Sequence, residues 1–113
     1  MKYPVFHERV RVIDIDGTVL KKRDPEHYFT AEPEALEDAV EQVNEWFDNG
    51  DYIVFWTARP SSVRDKTMNA LDRLGFKYHE VIFDKPYSYE IHIYDDNPIF
   101  IHKVERDIGI GKL

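Results

Sequence analysis

Chemically reactive side chains stand directly after four short apolar segments of this sequence. In chain order they are Asp14 and Asp16, Thr57 and Arg59, Lys85, and Asp95 with Asp96. If the four segments are strands of one parallel sheet, these side chains meet at a single edge, which is where open α/β sheets bind their ligands. The spacing therefore predicts one site built from four strand ends.

The acids of this set predict a divalent cation. Close carboxylates repel one another unless a cation lies among them, and Mg²⁺ favours carboxylate and phosphate oxygens. Lys85 would supply a positive charge for a phosphate oxygen and Thr57 a hydroxyl. We expect the backbone amides around Gly17 and Thr18 to add donors for an anion. Since the chain has no cysteine, a carboxylate is the available nucleophile, and the set indicates phosphoryl transfer.

Hydrophobic periodicity predicts the elements that position these residues. The predicted strands are 9–15, 52–56, 81–83 and 91–94, the predicted helices are 33–49, 60–74 and 98–106, and a short edge strand is placed at 107–113. This alternation indicates the α/β class, with a three-layer, Rossmann-like open parallel sheet. At 113 residues, without a linker or repeat, the chain is interpreted as one domain, 1–113.

Charge and composition argue against several classes of protein. Lys and Arg number 15 against 22 Asp and Glu, a net charge of −7 that disfavours a broad basic surface for nucleic acid. Eight of the acids lie within residues 32–51, which contain no Lys or Arg, and a solvated helix face explains them most simply. No signal peptide or membrane-spanning run is visible, so we expect a soluble cytoplasmic protein without a membrane partner.

Together, the four motifs resemble those of the haloacid dehalogenase superfamily of phosphatases. In motif order the matching segments are Asp14-Ile-Asp-Gly-Thr18, Thr57, Lys85, and Asp95-Asp96. The order and spacing agree with the family pattern over about residues 9–106, nearly the whole chain. The resemblance implies a haloacid-dehalogenase-like fold and a magnesium-dependent phosphatase.

The resemblance also implies a role for each matching residue. Asp14 would attack phosphorus and form an aspartyl-phosphate, while Asp16 would protonate the leaving oxygen and then activate water. Thr57 and Lys85 would orient and neutralise the transferring phosphoryl group. The implied magnesium ligands are Asp14, the backbone carbonyl of Asp16, Asp95, and Asp96 either directly or through water.

The gaps between motifs leave no room for the cap domain that many relatives insert over the site. Between Thr18 and Thr57 lie 38 residues, of which a helix and a strand use more than half, and 27 residues lie between Thr57 and Lys85. The sequence is therefore interpreted as a small, capless member. An open site fits a large substrate, or a site covered by a second subunit in a homo-oligomer. Arg59 is expected either to clamp a phosphate or carboxylate of the substrate, or to cap the helix region or pair with a surface acid.

Three functions stay open at this point. The first is hydrolysis of a phosphomonoester, most plausibly a sugar phosphate or a similar small metabolite. The second is a phosphatase of polynucleotide 3′ ends, which the acidic composition disfavours. The third is a non-catalytic module that binds phosphate and metal. The loop aromatics Tyr28, Phe29, Tyr87 and Tyr89 either stack on a substrate or pack within the fold, and the sequence does not identify the substrate.

Overall fold

A parallel three-stranded sheet forms the centre of the fold. The structure is a computed structural model that describes residues 6–27 and 32–112, so the aromatic residues Tyr28 and Phe29 lie outside the described residues. The strands are β1 (Val10–Ile13), β2 (Tyr52–Trp56) and β3 (Glu80–Ile82), and the α-helices are α1 (Ala39–Asp48) and α2 (Arg64–Leu74). Short 3₁₀ helices cover Pro25–His27, Ser61–Val63 and Ile110–Lys112.

The sheet order is β1-β2-β3, with β2 in the middle. Val12 of β1 pairs with Val54 of β2, and Val54 pairs in turn with Glu80 of β3. Since all three strands run in the same direction, the residues that follow them emerge at one edge of the sheet. The predicted α/β class and parallel sheet are confirmed for these strands.

The core lies around β2, whose sequence Tyr-Ile-Val-Phe-Trp is apolar throughout. Such continuous runs are typical of strands that are covered on both faces. Ile53 and Phe55 are fully buried, and Val43 of α1 and Leu71 of α2 belong to the same buried cluster. The two amphipathic helices thus cover the sheet with the apolar stripes that their periodicity predicts.

Helix α2 confirms the prediction at 60–74 apart from its first turn. That turn is a 3₁₀ helix at Ser61–Val63, and the α-helix then continues to Leu74. Gly75 ends it with a φ of 94°, a left-handed conformation that costs glycine little. The Phe76 N–H donates to the Leu71 carbonyl, as expected of a Schellman ending.

Helix α1 begins at Ala39, six residues later than the start predicted at Pro33. The residues before it pair with the chain that follows the first motif. The Lys21 N–H donates to the Glu34 carbonyl at 2.8 Å, and the Leu36 N–H donates to the Val19 carbonyl at 2.9 Å. These bonds hold residues 34–36 in an extended conformation, so the helix begins only after them.

The C-terminal part of the chain differs most from the sequence prediction. Within the described residues, the strand predicted at 91–94, the helix predicted at 98–106 and the edge strand predicted at 107–113 are absent, and Ile110–Lys112 forms a 3₁₀ helix against α1. Ile91 and Ile93 are exposed, and so are Val10 and Val12 of β1. The isoleucines that suggested the strand at 91–94 therefore have no core contact to hold them.

A stacked aromatic group lies at the opposite end of the sheet from Asp14, Thr57 and Lys85. The His79 ring stacks on Phe47 and Tyr52, with ring centroids 4.7 and 4.4 Å apart, and His7 approaches it edge-on. The Nδ1 atom of His79 accepts a hydrogen bond from the Ile53 N–H at 3.0 Å. Burial lowers the pKa of His79, and the neighbouring His7 lowers it further.

We predict that acidification weakens the fold through His79. Because its folded pKa lies below its ordinary value of 6.5, the unfolded chain takes up a proton at higher pH than the folded chain. The free energy of unfolding should therefore fall as the pH drops from about 6.5 towards the folded pKa. Urea unfolding at a series of pH values measures this dependence.

The variant His79→Gln keeps a hydrogen-bond acceptor for Ile53 and removes the titrating group. It should flatten the pH dependence, while His102→Gln, a change at an exposed histidine, should leave it as in the wild type. An unchanged slope in His79→Gln would contradict this account.

Candidate active site

Asp14 and Lys85 form the centre of the site. Asp14 directly follows β1, and Lys85 follows β3, so the parallel sheet brings together two residues far apart in the chain. The Lys85 Nζ donates to the Asp14 Oδ1 at 3.0 Å. The lysine side chain is 16% exposed and the aspartate side chain 43% exposed. An ammonium is thus held beside a carboxylate that still faces solvent.

Backbone hydrogen bonds between the loops after β2 and β3 fix the position of Lys85. Its N–H donates to the Thr57 carbonyl at 2.9 Å, and the Asp84 N–H donates to the Arg59 carbonyl at 3.0 Å. The Asp84 carboxylate also accepts from the Ser61 N–H at 3.0 Å. The Lys85 Nζ further lies 5.3 Å from the centre of the Trp56 ring, a favourable place for a cation.

Arg59 pairs with Asp16, an acid of the first motif. The Arg59 Nε and NH2 donate to the two oxygens of Asp16 at 2.9 and 2.8 Å, and NH1 donates to Thr67 at 3.2 Å. The Arg59 side chain is 3% exposed and that of Asp16 is 7% exposed. The guanidinium is therefore bound to the protein in this structure, and its binding of a substrate anion stays a prediction.

Thr57 lies under the site rather than on its surface. Its side chain is buried, and its Oγ1 accepts a hydrogen bond from the Arg59 N–H at 3.0 Å. Neither of the two cavities that reach Asp14 is lined by Thr57. In this structure, its visible role is to shape the loop that carries Arg59.

Gly17 and Thr18 line one cavity of the site, but their amides are already used. The Gly17 N–H donates to the Leu20 carbonyl at 2.7 Å, and the Thr18 N–H donates to the Ile15 carbonyl at 3.2 Å. These bonds close the turn after Asp16, and the binding of an anion by this turn stays a prediction. The Thr18 hydroxyl lies 3.5 Å from the Asp14 Oδ2.

Two cavities open on either side of Asp14 and Asp16. One, of about 220 Å³, is bordered by Lys85, Tyr87, Ser88 and Ile91. The other, of about 430 Å³, is bordered by Gly17, Thr18, Lys103, Val104, Glu105 and Arg106. Lys22 lines both cavities. Lys22, Lys103 and Arg106 belong to no recognisable motif, so their place at the border of the site could not be predicted from the sequence.

Asp95 and Asp96 do not reach Asp14 in this structure. Both are exposed, and neither lines a cavity of the site. The Asp95 carboxylate accepts from the Asn97 N–H at 2.9 Å, and this bond lowers its pKa below the ordinary value. Within residues 6–27 and 32–112, the acids of the four motifs form no close ligand group. Their shared role as metal ligands stays a prediction.

Asp14 and Asp16 supply some, but not all, of the oxygen ligands that Mg²⁺ requires. The Asp14 Oδ2 is not bound to Lys85 and belongs to a partly exposed side chain. Among the hydrogen bonds of the described residues, none is accepted by the backbone carbonyl of Asp16. The Asp16 carboxylate, by contrast, is occupied by Arg59. One carboxylate and one carbonyl with several waters is a usual ligand set for this ion.

The fold and motif order define the class of this protein as haloacid-dehalogenase-like. The chain belongs to the LNS2 domain family, because the family model described as "PITM 1-3, LNS2 domain" matches residues 11–103. No curated protein shows a significant match to the sequence.

Solved structures share this fold at low sequence identity. A chain of the Pnkp1/Rnl/Hen1 complex is 20% identical over 74% of this chain, with a TM-score of 0.59, and this chain spans 30% of its length. A protein from Vibrio cholerae is 23% identical over 78% of this chain and 79% of its own length, with a TM-score of 0.54. No helix of the described residues is both long and apolar enough to cross a membrane.

We predict that removing Arg59 is costly to stability. Arg59→Ala would leave the Asp16 carboxylate buried without its partner, which should lower the free energy of unfolding by about 3–5 kcal/mol. The control is Arg73→Ala, because Arg73 pairs with Glu32 in the open, with side chains 58% and 79% exposed. That change should cost less than about 1 kcal/mol. Urea denaturation measures both, and equal losses would contradict the role assigned to Arg59.

Proposed function

We propose that this chain is a phosphomonoester hydrolase in which Asp14 is the nucleophile. The observation that carries the proposal is the contact of the Lys85 Nζ with the Asp14 Oδ1 at 3.0 Å, beside a cavity of about 220 Å³. One oxygen of Asp14 would attack phosphorus, and the other would stay with the cations of the site. The ammonium also lies where it can neutralise charge on the phosphoryl oxygens, which is most of what phosphoryl transfer requires.

In the first half of the proposed reaction, an Asp14 oxygen bonds to phosphorus and the bond from phosphorus to the ester oxygen breaks. The leaving oxygen takes a proton from Asp16, and the alcohol departs. Asp16 is paired with the Arg59 guanidinium in the structure. Before this step its carboxylate must therefore turn towards the cavity that it borders and take up a proton from solvent. Arg59 acts as a positioning residue, because it holds Asp16 at the rim of the site.

In the second half, water attacks phosphorus and the bond between Asp14 and phosphorus breaks. Asp16 accepts the proton of the attacking water, and inorganic phosphate leaves. Both carboxyl groups then stand as they began, so the cycle balances. Thr57 supports both halves by fixing the loop on which Arg59 and Lys85 depend.

Magnesium is proposed as the cofactor. Asp14 and the backbone carbonyl of Asp16 would hold it, and we propose that Asp95 and Asp96, directly or through water, complete the site from a position nearer to Asp14 than the one in this structure. When bound, the ion would neutralise phosphoryl oxygens and fix their orientation. The ionised state of Asp95, which the Asn97 N–H favours, suits this purpose.

A small phosphorylated metabolite such as a sugar phosphate is the proposed substrate, bound in an open, capless site. A polynucleotide 3′ end is the second candidate, because the fold resembles that of a chain in an RNA repair complex with Pnkp1, Rnl and Hen1. A module that binds phosphate and metal without turnover is the third. A panel of substrates separates the three.

We predict that phosphate release depends on Asp14 and on magnesium. The panel comprises sugar phosphates, nucleotides and a 3′-phosphorylated oligonucleotide, each with magnesium and with a chelator. Asp14→Asn should lower the rate by more than about 10³-fold, because the nucleophile is lost. Asp24→Asn is the matched control, as Asp24 is exposed and borders neither cavity, and its rate should equal that of the wild type. Full activity in Asp14→Asn would contradict the proposal.

We also predict that Asp95 contributes to the affinity for magnesium. In Asp95→Asn, the concentration of magnesium that gives half-maximal activity should rise by about tenfold or more, because a charged ligand is lost. Asp65→Asn serves as the control, because Asp65 is an exposed acid of α2 that borders neither cavity, and it should leave this concentration unchanged. If Asp95→Asn also leaves it unchanged, Asp95 is not a metal ligand.

A further inference from the structure

The larger cavity of the site is lined by three side-chain cations. Lys22, Lys103 and Arg106 border it together with Asp14 and Asp16, and its volume is about 430 Å³. Such a volume is ordinary for a small-molecule site. The smaller cavity beside Lys85 would take the transferring phosphoryl group, which leaves the larger cavity without a function in the reaction proposed above.

Two acids lie beside these three cations: Glu105 in the cavity lining, and Asp107, whose carboxylate accepts from the backbone N–H of Lys22. Asp14 is paired with Lys85 and Asp16 with Arg59, so both acids at the floor of the cavity are already neutralised. In the part of the chain that the structure describes, Lys22, Lys103 and Arg106 form no ion pair. Glu105 is the further acid that lines the cavity, and the three cations outnumber it. Elsewhere exposed cations such as Arg73 and Lys77 do have carboxylate partners.

Backbone contacts place two of the cations firmly at the rim. The Asp107 N–H donates to the Gly17 carbonyl at 2.9 Å, and Arg106 packs so closely on Gly17 that a Cβ there would lie 3.0 Å from its Cγ. The Asp107 carboxylate accepts from the backbone N–H of Lys22 at 2.8 Å. The loops 17–22 and 105–107 are thus joined, and this junction carries Lys22 and Arg106.

A concentration of positive charge is unexpected in a chain with a net charge of −7. Cations in excess of acids around a concave surface attract anions and favour charge-assisted hydrogen bonds to phosphate or carboxylate oxygens. The cavity adjoins the phosphoryl site through Asp14, Asp16 and Lys22, so one ligand can occupy both.

We propose that Lys22, Lys103 and Arg106 form a subsite for a second anionic group of the substrate. The substrate class is therefore a phosphomonoester that carries another phosphate or carboxylate near the reacting one. This inference rests on the proposed function, since it assigns the reacting phosphoryl group to Asp14. A sugar bisphosphate and the end of a polynucleotide share this chemistry.

Equilibrium binding to the Asp14→Asn protein tests the subsite without turnover. Calorimetry compares two matched pairs of ligands: fructose 6-phosphate with fructose 1,6-bisphosphate, and adenosine 3′-phosphate with adenosine 3′,5′-bisphosphate. In at least one pair the bisphosphate should bind about tenfold more tightly, and the pair that shows the preference identifies the source of the second anion. The preference should shrink at about 0.5 M NaCl, because exposed cations are screened.

Variants test which residues cause the preference for the bisphosphate. In the Asp14→Asn background, Lys103→Gln should reduce the preference about threefold or more, and Lys103→Arg should restore it. Lys21→Gln is the matched control, because Lys21 is exposed, adjoins Lys22 in sequence and borders neither cavity, and it should leave the preference intact.

The outcomes separate this inference from the proposed function. Equal affinities within both pairs, the absence of measurable binding, or a preference that survives both Lys103→Gln and Arg106→Gln would overturn the subsite. Failure of the wild type to release phosphate would instead overturn the hydrolase, whatever the binding experiment shows. A preference that is lost in Lys103→Gln supports the subsite even if the wild type releases no phosphate.

Discussion

The buried ion pair between Asp16 and Arg59 is the constraint on which the site depends. It ties the loop after β1 to the loop after β2, with both oxygens of the carboxylate engaged and both side chains almost fully buried. The Arg59 carbonyl also accepts a hydrogen bond from the Asp84 N–H. This bond connects the loop after β3 to the loop after β2. Lys85 follows Asp84 directly, so the pair also determines where the ammonium meets Asp14.

Much of the fold around this pair could be predicted from the sequence. Strand β2 and helix α2 were predictable because their apolar patterns are strong and their ends carry clear signals, such as Gly75. The start of α1 was not, because pairing of residues 34–36 with the chain after the first motif overrides helical periodicity. The strand predicted at 91–94 and the helix at 98–106 rest on short apolar runs, and such runs form regular elements only where a core is present to cover them.

In the site, too, some features could be predicted from the sequence and others could not. Spacing alone predicted that Asp14 and Lys85 meet, because parallel strands deliver their ends to one edge. The partner of Arg59 could not be predicted, since a sequence does not reveal which of several nearby carboxylates a guanidinium will bind. The amides of Gly17 and Thr18 were assigned to an anion, but the turn that positions Asp16 uses both of them. No motif includes Lys22, Lys103 or Arg106, and these residues come to lie around the same cavity as Asp14 only when the chain folds.

The most direct test of the central claim is detection of phosphate on Asp14 itself. An Asp16→Asn protein should lack the group that activates water, so the covalent intermediate should accumulate after a rapid acid quench with the best substrate of the panel. Peptide mass spectrometry should then find one phosphate on the peptide that contains Asp14, absent from the double variant with Asp14→Asn. Turnover by the wild type with no phosphate trapped on Asp14, or with phosphate on another residue, would contradict the account.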